Sequence, residues 1–172
     1  MSGYVHVYTG NGKGKTTAAL GLAIRAAGAG WDVFFAQFAK GMASSELTAL
    51  ARFEDHITVR QYGCPNFING EGPASDDIER ARRGLVECRE AITSGRYRLV
   101  ILDEANLGPV LKLFSVDDLL GLVAARPNDV ELVLTGRHAD ARLLERADLI
   151  TEMREVKHYF QQGVLARPGI EQ

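Results

Sequence analysis

The stretch Thr-Gly-Asn-Gly-Lys-Gly-Lys-Thr-Thr-Ala-Ala, residues 9–19, joins a short apolar strand pattern at Tyr4–Tyr8 to an apolar helical pattern at Ala18–Ala27. A glycine-rich turn between a strand and a helix, ending in Gly-Lys-Thr, is typical of loops that bind nucleotide phosphates. Glycines let backbone N–H groups approach an anion closely, and the N-terminus of the helix adds a positive partial charge. The stretch therefore predicts a phosphate loop.

This loop departs at one position from the general pattern Gly-x-x-x-x-Gly-Lys-Ser/Thr, which has a glycine where this chain has Thr9. Gly10 and Gly12 still allow the tight turn. We expect Lys15 to lie over the outer phosphates and the Thr16 hydroxyl to complete a Mg²⁺ shell. A surface loop with a chance glycine and lysine content is the alternative, and the flanking strand and helix argue against it.

The composition is that of an ordinary globular protein. The chain has 172 residues, 46% hydrophobic and 24% charged, with a net charge of −2, which offers no basic surface field for nucleic acid or an anionic membrane. No run approaches the roughly 20 apolar residues that cross a bilayer. Because the first strand begins at the N-terminus, we expect no signal peptide and a cytoplasmic location. Cys64 and Cys88 are too few for a disulfide framework, and Cys88 is predicted to be a packing residue of a helix.

Strand patterns alternate with helical patterns along the chain. Further strands are predicted at Asp32–Phe38, Ile57–Tyr62, Arg98–Glu104, Glu131–Arg137 and, as a last inner strand, Leu149–Met153. Helices are predicted at Ser44–Phe53, Ser75–Gly95, after Glu104, from Ser115 to before Pro127, and at Asp140–Arg146. The alternation predicts an α/β fold, a three-layer domain of the P-loop NTPase type with a mostly parallel sheet of about six strands and helices on both faces. We expect one domain over residues 1–172, with residues 157–172 as an extended or irregular C-terminal tail.

Polar residues follow several of the predicted strands, and in parallel sheets ligands bind beyond those strand ends. Besides the phosphate loop, these residues are Gln37 with Lys40, Asp103 with Glu104, and Thr135-Gly136-Arg137. An apolar strand that ends in two acids, combined with a phosphate loop, favours Mg²⁺ coordination. A helix cap plus a surface charge is the alternative for the two acids, and Arg137 is equally suited to a phosphate or a carboxylate.

These features support binding of a nucleoside triphosphate and leave the reaction open. A hydrolase or kinase needs a positioned water or an acceptor hydroxyl, and the sequence marks neither. Lys13 and Arg25 are further cations near the loop, and a solvated helix position explains Arg25 equally well. The histidines are scattered, so no zinc or iron cluster is predicted.

Six stretches spread over nearly the whole chain share the pattern of one known family. They are Tyr8–Ala19, Ala36–Gly41, Val100–Glu104, Thr135–Arg137, Thr151–His158 and Gly163–Glu171. On these stretches the chain resembles the ATP:corrinoid adenosyltransferases that make adenosylcobalamin in bacterial cobalamin synthesis and salvage. The phosphate loop with Thr9 is that family's own form. The resemblance implies that a reduced Co(I) corrinoid attacks the 5′ carbon of ATP and expels inorganic triphosphate.

The same resemblance implies roles for residues of this chain. Lys13 and Lys15 would be the catalytic cations that stabilise the leaving triphosphate. Mg²⁺ would be held by Thr16, Glu104 and the neighbouring Asp103. No protein nucleophile is needed, because the corrinoid supplies it. The residues implied to bind ATP are Gly10, Asn11, Gly12, Lys13, Gly14, Lys15, Thr16, Thr17, Arg25, Gln37 and Arg137.

An aromatic residue of the loop Gly63–Ala74 is implied to lie against the lower face of the corrin, where it favours loss of the lower axial cobalt ligand. Phe67 matches this position, although the family's Gly-Phe-Thr-Trp reads Asn-Phe-Ile-Asn here, without the tryptophan. A loop residue packed in the core is the other interpretation of Phe67. The family further implies a homodimer and an electron donor such as a flavoprotein reductase. The alternatives are a generic ATPase or small-molecule kinase, and a carrier of corrinoid or nucleotide without turnover.

Overall fold

The computed structural model describes residues 2–39, 41, 44–63 and 72–171. Within these ranges the strands are β1 Val5–Thr9, β2 Val33–Gln37, β3 Ile57–Gln61, β4 Leu99–Asp103, β5 Glu131–Thr135 and β6 Leu149–Glu152. The α-helices are α1 Lys15–Gly28, α2 Ser45–Leu50, α3 Ser75–Thr93, α4 Leu107–Val110, α5 Val116–Ala125 and α6 Ala141–Leu144. Short 3₁₀ turns follow at Ala51–Phe53 and Tyr159–Gln162. In the part of the chain so described, no helix combines the length and apolarity that a membrane crossing needs.

The six strands form one sheet in the order β3-β2-β4-β5-β1-β6, and every neighbouring pair is parallel. The predicted α/β fold with a mostly parallel sheet is therefore confirmed. The register places Gln37 of β2 opposite Asp103 of β4, and Tyr8 of β1 opposite Thr135 of β5. Because all carboxyl ends lie at one edge, the phosphate loop after β1 emerges beside the ends of β5 and β6.

Two apolar clusters cover the two faces of the sheet. On one face, Val100 and Leu102 of β4 belong to the cluster that includes α3 and α5. On the other, Leu99 and Ile101 of the same strand pack with α1, whose inward residues include Ala19 and other alanines. Successive strand residues point to opposite faces, so a strand buried on both sides is apolar throughout. The three-layer prediction is confirmed, and Cys88 of α3 is fully buried within the first cluster.

Two details of the prediction are wrong. β6 is an edge strand rather than an inner one, and Leu149 and Ile150 are 42% and 50% exposed. Helix α1 begins at Lys15 instead of Ala18, directly after the glycine turn, and it includes Gly28 before Gly30 adopts a left-handed φ of 78°. The early start matters because it directs the first N–H groups of the helix toward the loop.

Candidate functional site

The phosphate loop is shaped by its glycines and by the segment that follows β6. Gly10 and Gly14 have φ values of 94° and 120°, a region that disfavours other residues. The Gly12 N–H donates to the Met153 carbonyl at 2.7 Å, and the Met153 N–H donates to the Thr9 carbonyl at 2.8 Å. A Cβ atom at Gly10 or Gly12 would lie 2.4 or 2.7 Å from the Met153 oxygen. The loop is therefore packed too closely on this backbone for any side chain at these positions.

Lys15 is the first residue of α1 and is only 6% exposed. Its Nζ donates to the carbonyl oxygens of Gly10 and Gly12, both at 2.8 Å. Burial lowers its pKa, an effect that Glu104 and Asp103 oppose and Arg137 reinforces. The structure therefore brings the charges of three predicted site residues, Asp103, Glu104 and Arg137, within electrostatic reach of Lys15.

Asp103 and Glu104 are held by the Thr135 hydroxyl at the end of β5. This hydroxyl donates to Asp103 Oδ1 at 2.6 Å and accepts from the Glu104 N–H at 3.0 Å. Gln37 Nε2 donates to Asp103 Oδ2 at 3.2 Å, and Gln61 Nε2 donates to Gln37 Oε1 at 2.8 Å. Asp103 is fully buried, and Glu104 takes a left-handed φ of 58°. Asp103 is thus hydrogen-bonded to side chains of both neighbouring strands, and Glu104 is half-buried at the end of β4.

The oxygen donors that this edge offers suit a hard cation. Thr16 lies in the first turn of α1 and is half-buried, as Glu104 is. Mg²⁺ prefers hydroxyl, carboxylate, phosphate and water oxygens. Asp103, Glu104 and Thr16 supply such oxygens here, and Asp103 accepts hydrogen bonds on both of its carboxylate oxygens. The described residues contain no group of three or more His, Cys, Asp or Glu side chains able to hold a metal. Mg²⁺ in nucleotide sites generally keeps phosphate and water oxygens among its ligands.

Lys13 points away from the sheet and toward the C-terminal segment. Its Nζ donates to the Ile170 carbonyl at 2.7 Å, to Glu171 Oε1 at 2.8 Å and to the Tyr159 hydroxyl at 3.4 Å. The hydrogen bond to Glu171 raises the pKa of Lys13, and the same contact lowers the pKa of Glu171. Sequence reasoning missed these contacts, because no local pattern indicates partners more than 140 residues away.

Four other predicted site residues are exposed to solvent. Asn11 and Thr17 are exposed on the loop and on the first turn of α1, and Arg137 is exposed after β5. Arg25 is exposed on α1 ten residues after Lys15, about 15 Å along the helix axis, so the structure does not bring it to the loop. Phe67, Lys40 and Cys64 lie outside the described residues.

A cavity of about 220 Å³ is lined by residues that follow β4 and β5 in the chain. Asn106 lines it, donates through Nδ2 to the Gly136 carbonyl at 3.1 Å, and has a buried Oδ1 without a partner among the described residues. Sequence reasoning missed this cavity, since its residues come from separate segments. The other lining residues are Pro109, Val110, Val116, Leu119, His138, Asp140 and Leu143.

Comparison with known proteins points to one family over the whole chain. The model of a family described as ATP:corrinoid adenosyltransferase BtuR/CobO/CobP matches residues 1–172. A corrinoid adenosyltransferase of Pseudomonas aeruginosa is 35% identical over 170 residues, which are 98% of this chain and 83% of that protein. One of Escherichia coli is 33% identical, covering 98% of this chain and 85% of that protein. An uncharacterized Nostoc protein is 36% identical over 92% of this chain, which spans 45% of its length.

Proposed function

Since the chain belongs to the ATP:corrinoid adenosyltransferase family and transfers an adenosyl group from ATP to a corrinoid, we propose that residues 10–17 hold the triphosphate as the leaving group. The observation that carries this proposal is the position of Lys15. Its buried ammonium rests on two neutral loop carbonyls, beside the carboxylates of Asp103 and Glu104. An incoming phosphate oxygen can replace those carbonyls as its acceptor without leaving a charge unpaired.

The electron balance of the reaction explains why cations at this loop matter. The electron pair of Co(I) forms the new bond to the 5′ carbon of ATP, and the carbon–oxygen bond to the α-phosphate breaks. Its electron pair leaves on the phosphate oxygen, while cobalt becomes formally Co(III). Negative charge grows on the triphosphate, so fixed cations and N–H dipoles lower the barrier. No general base is required, because no proton leaves the nucleophile.

We propose that Thr16 and Glu104 hold Mg²⁺, with Asp103 acting mainly through Thr135. When bound, the cation would neutralise phosphate charge and orient the chain of phosphates. The Thr135 hydroxyl fixes the backbone of Glu104, and Gln37 fixes Asp103 from the other side. On this proposal Gln37 contributes to ATP binding through the acid rather than by direct contact. Asn11 and Thr17 contribute N–H groups or hydroxyls at the loop rim, and Arg137 contributes a cation.

The finer assignments remain proposals that rest on the family. They are the corrinoid face at Phe67, a nucleotide contact for Arg25, a cytoplasmic homodimer, and a flavoprotein reductase as electron donor. The substrate is proposed to be cob(I)alamin or its precursor cob(I)yrinic acid a,c-diamide. Assays from Co(II) and from prereduced Co(I) separate the role of Phe67, because Phe67→Ala is expected to impair the reaction from Co(II) more than the reaction from prereduced Co(I).

The experiment that tests the proposed function follows both products. The chain is incubated with ATP, Mg²⁺ and chemically reduced cobalamin, and the corrinoid spectrum is recorded beside the phosphate products. We expect equal amounts of the Co–C product and inorganic triphosphate. ADP production that does not depend on corrinoid would instead support a generic ATPase or kinase. Tight binding of both substrates without product would support a carrier.

A further inference from the structure

The C-terminal segment forms a strap, residues 157–171, that reaches back to the phosphate loop. All of its residues are exposed or half-buried. One hydrogen bond, from Gln161 Nε2 to Glu155 Oε1 at 2.7 Å, joins it to the residues just before it. Every other polar contact that the described strap makes with the rest of the described chain ends on Lys13. Lys13 is therefore the point at which the strap is fixed.

The strap occupies all of the hydrogen-bonding capacity of Lys13. An ammonium group has three N–H donors. They are directed to the Ile170 carbonyl, the Glu171 carboxylate and the Tyr159 hydroxyl. A phosphate oxygen can reach this ammonium only if at least one of the three contacts is given up. The carboxylate is the anionic member of the three and so the natural one for another anion to replace.

Glu171 keeps partners of its own when Lys13 is removed. Its Oε2 accepts from the Arg167 N–H at 2.9 Å, while its Oε1 accepts from the Tyr159 hydroxyl and lies 3.5 Å from Arg167 Nη2. The Arg167 guanidinium also lies 4.9 Å from the centre of the Tyr159 ring. Separation of the strap from Lys13 thus leaves the carboxylate paired within the strap, and the cost of an uncompensated charge does not arise.

We propose that the strap is an internal competitor of the nucleotide: Glu171 occupies Lys13 in the nucleotide-free protein, and the triphosphate of ATP displaces it and frees the strap. The inference rests on the proposed function, because it requires the triphosphate to bind at the phosphate loop. The triphosphate carries several negative charges and the carboxylate carries one, so Coulomb attraction favours the exchange. The strap leaves together with the turn between Arg167 and Glu171, which is closed by its own hydrogen bonds.

The decisive variant is Glu171→Gln, with Glu155→Gln as the matched control. Both remove one negative charge, but Glu155 contacts Gln161 and not Lys13. Dissociation constants are measured by calorimetry for ATP with Mg²⁺ and for inorganic triphosphate. We expect Glu171→Gln to lower both constants about two- to five-fold, the range of a partly exposed ion pair. The control is expected to leave them unchanged, and added salt is expected to shrink the difference.

Trypsin supplies a second readout at Lys157, the first residue of the strap, whereas Arg167 is followed by Pro168 and is not cleaved. Inorganic triphosphate is expected to accelerate cleavage after Lys157 in the wild-type chain, and Glu171→Gln is expected to be cleaved fast without it. An unchanged or raised dissociation constant in Glu171→Gln, or slower cleavage with triphosphate, would overturn the strap proposal alone. Failure of the wild-type chain to bind triphosphate would instead contradict the proposed function, and the strap proposal with it.

Discussion

Two lysines, separated by a single glycine in the phosphate loop, lie in opposite surroundings. Lys15 is buried against the sheet, donates to neutral carbonyls, and has its pKa lowered by burial. Lys13 has a side chain that is 39% exposed, donates to a carboxylate, and has its pKa raised by that hydrogen bond. Burial therefore disfavours the charged form of Lys15, whereas the hydrogen bond to Glu171 favours the charged form of Lys13.

The difference shows that the loop has an inner and an outer half. The inner half carries Lys15, which lies near the charges of Asp103 and Glu104, the two acids that Thr135 holds at the ends of β4 and β5. The outer half is covered by the strap, which has no place in the apolar core clusters. Chemistry that needs a rigid cation is expected at Lys15, and regulation by exchange of partners is expected at Lys13.

The largest expected effect is that of Lys15→Ala. Loss of the buried cation at the leaving group is predicted to lower kcat/KM about 100-fold or more, as removal of one fixed donor to a developing anion does. Lys13→Ala is predicted to cost less than about ten-fold, because the exposed cation is partly screened. Both are measured as Co–C bond formation with prereduced Co(I). Equal losses of kcat/KM in Lys15→Ala and Lys13→Ala would contradict the distinction between the inner and outer halves of the loop.

Gly12→Ala tests whether the inner half depends on close backbone packing. The added Cβ would meet the Met153 oxygen at 2.7 Å and the Arg154 carbonyl carbon at 2.8 Å, so the loop has to move. We predict about a ten-fold loss of ATP affinity from this displacement, since misplaced groups weaken binding strongly. Gly21→Ala in α1 is the control, because nothing lies within 4 Å of its Cβ.

The control variant Gly21→Ala is expected to have an effect on stability. Alanine in a helix interior is about 0.5–1 kcal/mol more favourable than glycine, so Gly21→Ala is predicted to stabilise the chain without changing ATP affinity. Calorimetric titration with ATP and urea unfolding measure the two effects separately. ATP affinity that is equal in both variants would show that contact with Met153 does not shape the loop.

Thr135→Val tests the link between the sheet and the acids. The valine removes the donor to Asp103 Oδ1 and the acceptor of the Glu104 N–H, both at buried or half-buried positions. Unsatisfied buried groups cost about 1–3 kcal/mol, so urea unfolding is predicted to show a loss of that size. Thr151→Val on the edge strand β6, where the side chain is half-buried, is predicted to change stability by less than about 0.5 kcal/mol. A similar small change in both variants would contradict the proposed role of Thr135.

Strand β4 and the two acids that follow its apolar residues were predictable, because four consecutive apolar residues with polar neighbours suit a strand that is buried on both faces. Strand β3 was predictable from its alternation instead. The edge position of β6 was not predictable, since Leu149 and Ile150 look like a buried pair. Strand order depends on contacts between distant segments, which periodicity does not report.

The contacts of the strap escaped prediction for a related reason. Glu171 lies in a polar tail and Lys13 in a glycine-rich loop, and neither pattern indicates the other. The sequence indicated Thr135 only as a polar residue at a strand end. Its bond to Asp103 depends on β5 lying next to β4. Phe67 lies outside the described residues and stays a prediction.

The smallest expected effect is the pH dependence of ATP affinity, which distinguishes the two lysines by the opposite shifts of their pKa values. ATP binding needs a protonated Lys15, and burial lowers its pKa below the ordinary 10.5. ATP affinity is therefore predicted to begin to fall at a lower pH than an exposed lysine would allow. Lys13→Ala should keep this alkaline decline, because the pKa of Lys13 is shifted upward. Lys15→Arg should abolish it, since a guanidinium stays charged, and a decline that persists in Lys15→Arg would assign it to another group.

The lowered pKa of Lys15 affects the stability of the nucleotide-free chain in the direction opposite to its effect on ATP affinity. The folded state releases the Lys15 proton at a lower pH than the unfolded state does, so the unfolded state binds more protons between the lowered pKa and 10.5. Stability contributed by this group therefore rises with pH in that window while ATP affinity falls. Urea unfolding and ATP titration across the same pH values measure both trends. Parallel trends would show that Lys15 is not the group that titrates.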